Sequence, residues 1–411
     1  MEYGLIGKNL NYSYSKIIHE KFGLYKYDLF SINNDEFNFI MMNKNFKGLN
    51  VTMPYKKEVI RYCKELSKKA KKIGSVNTVT VNNGILKGFN TDYDGLDYTM
   101  SRSKIFLNGK KILILGSGGT SSTAKVLSED NHASEILVVS RSGKINYKNI
   151  YDHIDADIII NTTPVGMYPA NGDFLVDIKR FKNLSGYVDV IYNPLYSRTL
   201  LEAKKCDIPV AGGLPMLVYQ AKKSSEIFTA LEIKESVVEE TISELYKQLC
   251  NVVLIGMPGS GKTSVGRIVA KELNKKFIDM DSVIEKKHSL AIFNIFKNFG
   301  EKIFRKSEKE TAFLAGCENN TVISTGGGVV LDSDNYFSLK QNGRIYNIKR
   351  DLNYLAREGR PLSKNLNELE KLFIRRKHLY SNFCDFEILN DSDLLDTAKK
   401  IVRDFNENND Y

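Results

Sequence analysis

The apolar positions of this chain gather into short runs, and most runs are followed by a turn and a stretch of helical period. Tyr3 to Gly7 reads as a short strand, and a helical pattern begins at Ile17. Lys110 to Leu115 is an apolar strand with a helix through Ala124 and Leu127 behind it. Glu135 to Val139 and Ile158 to Ile160 follow as further strands. Residues 233 to 250 are charged and helical, with Val237, Val238, Ile242 and Leu245 on one face. Asn251 to Ile255 is apolar and mostly β-branched, which predicts a buried strand. Val265, Ile268 and Val269 then mark one side of a helix from Ser264 to Leu273. Val322 to Thr325 repeats the strand signature. Strands alternating with helices predict an α/β fold.

Two of the connections carry chemistry. Gly256-Met257-Pro258-Gly259-Ser260-Gly261-Lys262-Thr263 fits G-x-x-x-x-G-K-[ST] in full, between a strand and a helix. The glycines let backbone N–H groups converge on phosphate oxygens, and the helix N-terminus adds partial positive charge. Lys262 can reach β- and γ-phosphates, and the Thr263 hydroxyl can hold Mg²⁺. The second connection is Gly116-Ser117-Gly118-Gly119-Thr120-Ser121. Strand, glycine turn, helix and strand within about 30 residues is the dinucleotide-binding arrangement. The strand after it ends in Ser140-Arg141 rather than a carboxylate, which suits a 2′-phosphate and so NADP.

The first hundred residues hold four segments with hydroxyl or amide side chains, most of them beside glycine at strand ends. They are Asn11 to Lys16, Gly48 to Lys56, Ile73 to Val79 and Gly88 to Gly95. Such edges are where open α/β sheets bind ligands. Lys56 and Asp92 stand among them. A ketone reduced by hydride leaves an alkoxide that needs a proton, and a lysine held beside a carboxylate can supply it and polarise the carbonyl.

Past the phosphate loop, Asp279 and Asp281 are expected at a strand end, where positions i and i+2 point the same way. One can sit near Mg²⁺ and the other can face an acceptor. A helix is expected from Phe299-Gly300-Glu301, and Gly326-Gly327-Gly328 follows a strand.

Composition narrows the function. A length of 411 residues suggests two or three domains, and 42% hydrophobic with 26% charged residues is ordinary for a soluble enzyme. The formal net charge of +10 is spread over the chain with no basic run, which argues against a nucleic-acid arm and fits small anionic substrates. Cys63, Cys206, Cys250, Cys317 and Cys384 lie far apart, so neither a zinc site nor a disulfide framework is expected, and a reducing compartment fits. No signal-like core or membrane-length apolar run is present, which points to the cytoplasm. None of the five histidines sits in a motif, so acid–base work falls to lysine and carboxylates.

The series S-x-S, G-x-N-V-T-x-P-x-K, I-G-x-V-N-T and N-T-D-x-x-G resembles shikimate dehydrogenase, and the resemblance runs to about residue 247. It implies Lys56 and Asp92 as the catalytic pair, and Ser13, Ser15, Thr52, Asn77, Tyr192 and Gln220 as substrate ligands. Lys16 stands where that family usually has proline. The turn resembles the family's G-x-G-G-[AT] form, implying that Gly116, Gly118, Gly119, Thr120, Ser140, Arg141, Val190 and Gly213 bind NADP(H). The segment Asn161 to Met167 resembles the part that closes on the cofactor.

Residues 250 to 411 resemble shikimate kinase through D-x-D, G-E-x-x-F-R, G-G-G, R-P-L and R-x-x-L-Y. This implies ATP and Mg²⁺ on Gly256, Gly259, Ser260, Gly261, Lys262 and Thr263, with Asp279 on the metal side. Asp281 would hold the attacking hydroxyl. Arg305 and Arg376 would clamp a carboxylate beside Gly327, with Arg375 the alternative to Arg376. Arg360 would be the lid arginine, in a short lid where only Glu358 and Gly359 separate it from Arg357.

The implied architecture is a two-domain dehydrogenase fused to a P-loop kinase. Residues 1–101 with 213–247 would form the α/β substrate domain, 102–212 a Rossmann-like NADP domain, and 250–411 the kinase. The implied activities are reduction of 3-dehydroshikimate with NADPH, then phosphorylation of shikimate with ATP. Two other readings are a non-catalytic protein that binds shikimate and nucleotides, and a dehydrogenase that also takes quinate. The first would be expected to have lost Lys56, Asp92, Lys262 or Asp281, and all four are present.

Overall fold

Each apolar run becomes a strand, and the strands sort into three sheets. The computed structural model describes residues 2–408 apart from 9, 11–12, 24, 356–365 and 392. The first sheet holds β1 (Tyr3–Gly7), β2 (Asp28–Ser31), β3 (Gly48–Val51), β4 (Glu65–Leu66), β5 (Thr78–Asn82) and β6 (Ile85–Phe89) in the order β2-β1-β3-β5-β6-β4. β5 and β6 form an antiparallel hairpin over Asn83-Gly84, both with positive φ. That two-residue turn matches the twist of the strands it joins. It sets Thr78 opposite Phe89, and β3 sets Asn50 opposite Thr78.

The second sheet is parallel throughout: β7 (Lys111–Leu115), β8 (Glu135–Val139), β9 (Ile158–Asn161), β10 (Gly186–Asp189) and β11 (Val210–Ala211), ordered β11-β10-β9-β7-β8. Strands covered on both faces read as unbroken apolar runs, and Ile112 to Leu115 and Ile158 to Ile160 are all buried. Their core takes in Leu96 and Met100 of the helix Asp92–Arg102 and Met216 of the helix Gly213–Thr229.

The third sheet is also parallel: β12 (Asn251–Ile255), β13 (Lys276–Asp279), β14 (Thr321–Ser324), β15 (Gly343–Lys349) and β16 (Phe386–Leu389), ordered β13-β14-β12-β15-β16. The helix Glu235–Leu249 runs into β12 with Cys250 alone between them. Lys275 caps that helix end. Its ammonium donates to the carbonyls of Lys247 (2.7 Å) and Cys250 (2.9 Å) and to Asn320 Oδ1 (3.0 Å). Burial pushes Lys275 down to about 8.

The chain divides into two compact units. One is Met1–Met167, Asp173–Asn193 and Glu202–Ile242; the other is Tyr168–Gly172, Pro194–Leu201 and Ser243–Tyr411. Within the second unit, Tyr196 N–H donates to the Gln341 carbonyl (2.9 Å), Leu195 N–H to Asn342 Oδ1 (2.9 Å) and Asn171 Nδ2 to Gln341 Oε1 (2.7 Å). Among the described residues no helix is long and apolar enough to cross a membrane.

One expectation needs correction. Asp281 is not on a strand end: β13 stops at Asp279, whose carboxylate accepts from Ser282 N–H and so caps the helix Met280–His288, with Asp281 in its first turn. The helix expected from Phe299-Gly300-Glu301 does begin there: the run Ile292–Cys317 is two helices separated at Gly300 (φ 76°, ψ 168°).

The far end of that run packs on the helix Ser333–Lys340 with no room at Gly316, where an added Cβ would stand 1.8 Å from the Ser338 carbonyl oxygen. Gly316→Ala is expected to cost about 1–3 kcal/mol, as overpacking does, read as a lower urea midpoint with an unchanged slope.

Candidate functional sites

The first site is built where β3, β5 and β6 end. Lys56 lies in the turn after β3. Asn77 leads into β5, and Asn90-Thr91-Asp92 lead out of β6 into the helix Asp92–Arg102. Lys56 Nζ stands 2.6 Å from Asp92 Oδ2, both side chains being largely buried. Asn77 Nδ2 donates to the other carboxylate oxygen at 2.8 Å. Asp92 is the first residue of its helix, where the exposed N–H groups favour negative charge. Asn90 fixes the turn, donating to the Ser75 carbonyl (2.9 Å) and accepting from Tyr93 N–H (3.2 Å).

Ser13 and Ser15 are bonded to each other (3.0 Å) at the start of the helix Ser15–Gly23. Thr52 follows β3 and donates its N–H to Ile6. Tyr192 lies beyond β10, its ring edge-on to Tyr14 at 6.2 Å, and burial raises its phenol. Gln220 is on the helix Gly213–Thr229, with Nε2 donating to the Leu217 carbonyl. The glycine turn meets the pair directly. A Cβ added at Gly119 would stand 2.9 Å from Ser75 Oγ and 3.7 Å from Lys56 Cδ.

That turn follows β7. Gly116 has φ 112°, Gly118 caps the helix Gly119–Asp130 with no side chain, and Thr120 is its second residue. The first N–H groups of this helix therefore face outward, as an anion requires. Ser140 and Arg141 follow β8, with Arg141 exposed. Val190 follows β10. Its carbonyl oxygen would lie 2.2 Å from a Cβ on Gly213, so only glycine fits there.

In the second unit the phosphate loop joins β12 to the helix Lys262–Glu272, with Gly256, Gly259 and Gly261 all at positive φ. Lys262 Nζ folds back onto the carbonyls of Gly256 (3.0 Å) and Met257 (2.9 Å). Ser260 Oγ is buried without a hydrogen-bond partner, a group that a bound phosphate would satisfy. Thr263 Oγ1 donates to Asp279 Oδ2 at 2.7 Å. This oxygen pair has the hardness that Mg²⁺ prefers.

The acceptor side centres on Gly326-Gly327-Gly328, and close approach explains all three. An added Cβ would stand 2.8 Å from Asp281 Oδ1 and 3.0 Å from Glu308 Oε1 at Gly326, 2.7 Å from the Pro258 ring at Gly327, and 2.1 Å from Arg305 Nη1 at Gly328. Arg305 donates to Glu308 Oε2 (2.7 Å) and Glu301 Oε1 (2.9 Å). Arg376 Nη1 (2.8 Å) and Tyr380 Oη (2.5 Å) donate to the Gly327 carbonyl. Arg376 is buried and Arg375 exposed. Arg360 lies outside the described residues. Glu308 and Tyr380 are additions. Tyr380 closes the R-x-x-L-Y motif and Glu308 lies three residues past G-E-x-x-F-R, but only contact shows their part in the site.

Burial pushes Asp281 up to about 6. Lys262 pulls it back down, and Asp279 and Glu308 push it further up as like charges. Burial also raises Glu308, whose Oε1 has no hydrogen-bond partner.

Two family profiles match the chain: the shikimate dehydrogenase substrate binding domain over residues 5–79, and shikimate kinase over residues 258–406. A shikimate dehydrogenase (NADP⁺) of Clostridium perfringens is 36% identical over 266 residues, which is 59% of this chain and 97% of that protein. The chain belongs to the shikimate dehydrogenase family. Among solved structures, a chorismate mutase/shikimate 5-dehydrogenase fusion protein from Clostridium acetobutylicum is 35% identical with a TM-score of 0.55. The match covers 59% of this chain and 96% of that one. The Thermus thermophilus shikimate 5-dehydrogenase in complex with NADP(H) and shikimate is 25% identical with a TM-score of 0.53, over 59% and 99%. The dehydrogenase is continued by a shikimate kinase domain, so one chain carries two enzymes of the shikimate pathway, an NADP-linked oxidoreductase and an ATP-dependent kinase.

A carboxylate that takes a proton from the attacking hydroxyl must be ionised. Kinase kcat/KM for shikimate is therefore expected to fall as pH drops through about 6, the value to which Asp281 is raised. Glu308→Gln removes a like charge and should move that limb to lower pH. Initial rates from pH 5 to 9 check it, and a wild-type rate that stays nearly flat down to pH 5, as an unperturbed carboxylate at about 4 would give, would exclude Asp281.

Proposed function

We propose that the dehydrogenase reduces 3-dehydroshikimate to shikimate and that the kinase transfers the γ-phosphoryl of ATP, with Mg²⁺, to a shikimate hydroxyl. Residues 1–101 with 213–247 serve as substrate domain, 102–212 as NADP domain and 250–411 as kinase. The observation that carries the reading is the buried 2.6 Å Lys56–Asp92 pair set against the glycine turn at Gly119. The cytoplasm is the proposed location, which suits five free cysteines.

NADPH, when bound at Gly116 to Thr120, supplies the hydride. Lys56 Nζ supplies the proton that turns the resulting alkoxide into the alcohol, and Asp92 holds that ammonium in place. Ser13, Ser15, Thr52, Asn77, Tyr192 and Gln220 offer hydroxyls and amides to the substrate's hydroxyls and carboxylate. Ser140 and Arg141 receive the 2′-phosphate.

At the second site the N–H groups of residues 259–263 and the Lys262 ammonium hold the ATP phosphates. Thr263 and Asp279 take Mg²⁺, and Asp281 accepts the proton of the attacking hydroxyl. Arg305 and Arg376 take the shikimate carboxylate beside Gly327, each presenting a planar fork. The burial of Arg376 favours it over Arg375.

Lys56→Ala is expected to lower NADPH oxidation by roughly 10²–10⁴, mainly in kcat, and to leave phosphorylation intact. Lys262→Ala should do the reverse. One coupled assay with dehydroshikimate, NADPH and ATP, following NADPH loss and ADP gain, reads both, and near-normal oxidation by Lys56→Ala would remove the acid–base assignment. Separately, NADPH should be preferred to NADH. Arg141→Ala should raise KM for NADPH more than for NADH, and equal losses would show that Arg141 does not read the 2′-phosphate.

A further inference from the structure

A buried polar cluster lies behind the Lys56–Asp92 pair. Asn50 comes from β3, Thr78 from β5, Thr91 from the turn after β6, and Ser224 from the helix Gly213–Thr229; together with Asn77 and Tyr27, all are more than nine-tenths buried. Ser224 Oγ is the hub. It is 3.0 Å from the Gln220 carbonyl oxygen, 2.8 Å from Asn50 Nδ2, 2.9 Å from Thr78 Oγ1 and 3.1 Å from Thr91 Oγ1.

Counting donors fixes the direction of most of these bonds. The Gln220 carbonyl can only accept, so the Ser224 hydrogen goes there. Asn50 Nδ2 donates to Ser224 and to Thr78 Oγ1 (3.0 Å), while Asn50 Oδ1 accepts from Tyr27 Oη (2.7 Å). Thr78 then donates to Asn77 Oδ1 (3.0 Å), which also takes Thr91 N–H (2.8 Å). The Thr91 hydroxyl lies 3.3 Å from Asn77 Oδ1 and 3.1 Å from Ser224 Oγ, so it ties the two together whichever takes its hydrogen. The Asn77 amide can point only one way, with Nδ2 toward Thr91 Oγ1 (3.0 Å) and Asp92 Oδ1 (2.8 Å). A cluster with every member satisfied is stiff.

We propose that Ser224 is a positioning residue for the dehydrogenase: through Thr91 and Asn77 it holds Asp92 against Lys56, and through the Gln220 carbonyl it holds that pair in register with the helix that presents Gln220. The proposal rests on the acid–base reading of Lys56 and Asp92. Ser224 touches neither substrate nor cofactor. It acts by keeping the proton donor within reach of the developing alkoxide, where small misplacements are costly.

The test uses the full chain. Ser224→Ala is expected to lower kcat for dehydroshikimate reduction roughly 10–100-fold, leave KM for NADPH unchanged, and raise the solvent deuterium isotope effect on kcat as proton delivery becomes the slow event. Thr91→Val should behave alike and Thr91→Ser, which keeps the hydroxyl, should recover. The double variant Ser224→Ala/Thr91→Val should be no worse than the poorer single, because both cut one chain. The chain's own kinase activity reports folding, and the Thr91 pair reads the same link without altering the helix should Ser224→Ala misfold. An unchanged kcat and isotope effect in Ser224→Ala, or multiplying losses in the double, would overturn the proposal. Lys56→Ala run alongside separates the two readings. If it abolishes reduction while Ser224→Ala changes nothing, only the positioning role fails. If it leaves reduction intact, the acid–base reading fails first.

Discussion

Removing a lysine and an aspartate from water is costly, and their mutual attraction repays it only with close contact and further hydrogen bonds. The Lys56–Asp92 pair meets those terms through a 2.6 Å contact, the Asn77 amide on the second carboxylate oxygen and the first turn of a helix beneath it. Much of the first unit follows from that requirement. Asn50 must lie opposite Thr78, and Thr78 opposite Phe89, for the polar side chains to converge. A slip of one residue would turn every one of them to the other face of the sheet.

The kinase site handles charge differently. Asp279, Asp281 and Glu308 are gathered closely, facing Lys262, Arg305 and Arg376. Gly326 lets two carboxylates and Gly328 a guanidinium approach the backbone to distances a side chain would forbid, and Gly327 admits the Pro258 ring. Several groups remain bonded to the protein itself: Lys262 to loop carbonyls, Arg305 to glutamates, Thr263 to Asp279. Nucleotide and acceptor therefore have partners to exchange, whereas the dehydrogenase pair is already closed on itself.

How much of this could be read from the residues depended on range. Apolar runs marked most strands of the two parallel sheets, and glycine spacing marked both nucleotide turns. Asn83-Gly84 makes the β5–β6 hairpin turn, a two-residue signal set among more conspicuous amide motifs. The two-residue spacing of Asp279 and Asp281 suggests a strand, but Asp279 accepts from Ser282 N–H and starts a helix before Asp281 is reached. Glu308 lies one helical turn past the motif arginine, and its part rests on burial and on Arg305. Ser224 carries no signal of its own. A serine on a helix is unremarkable until strands distant in sequence bring Asn50, Thr78 and Thr91 to it. The packing of residues 168–172 and 194–201 in the second unit is equally non-local.

The passage from the helix Glu235–Leu249 into β12 has a practical meaning for anyone wishing to divide the chain. β12 is the central strand of its sheet, and the carbonyls that grip Lys275 belong partly to the helix before it. A gene cut at Asn251 would start the kinase on its innermost strand, with a half-buried ammonium deprived of two oxygens. The residues from Ser243 onward pack with the second unit. The natural place to separate the two catalysts lies upstream of the last turns of that helix, and a protease looking for a loose tether at Cys250 would find a buried residue.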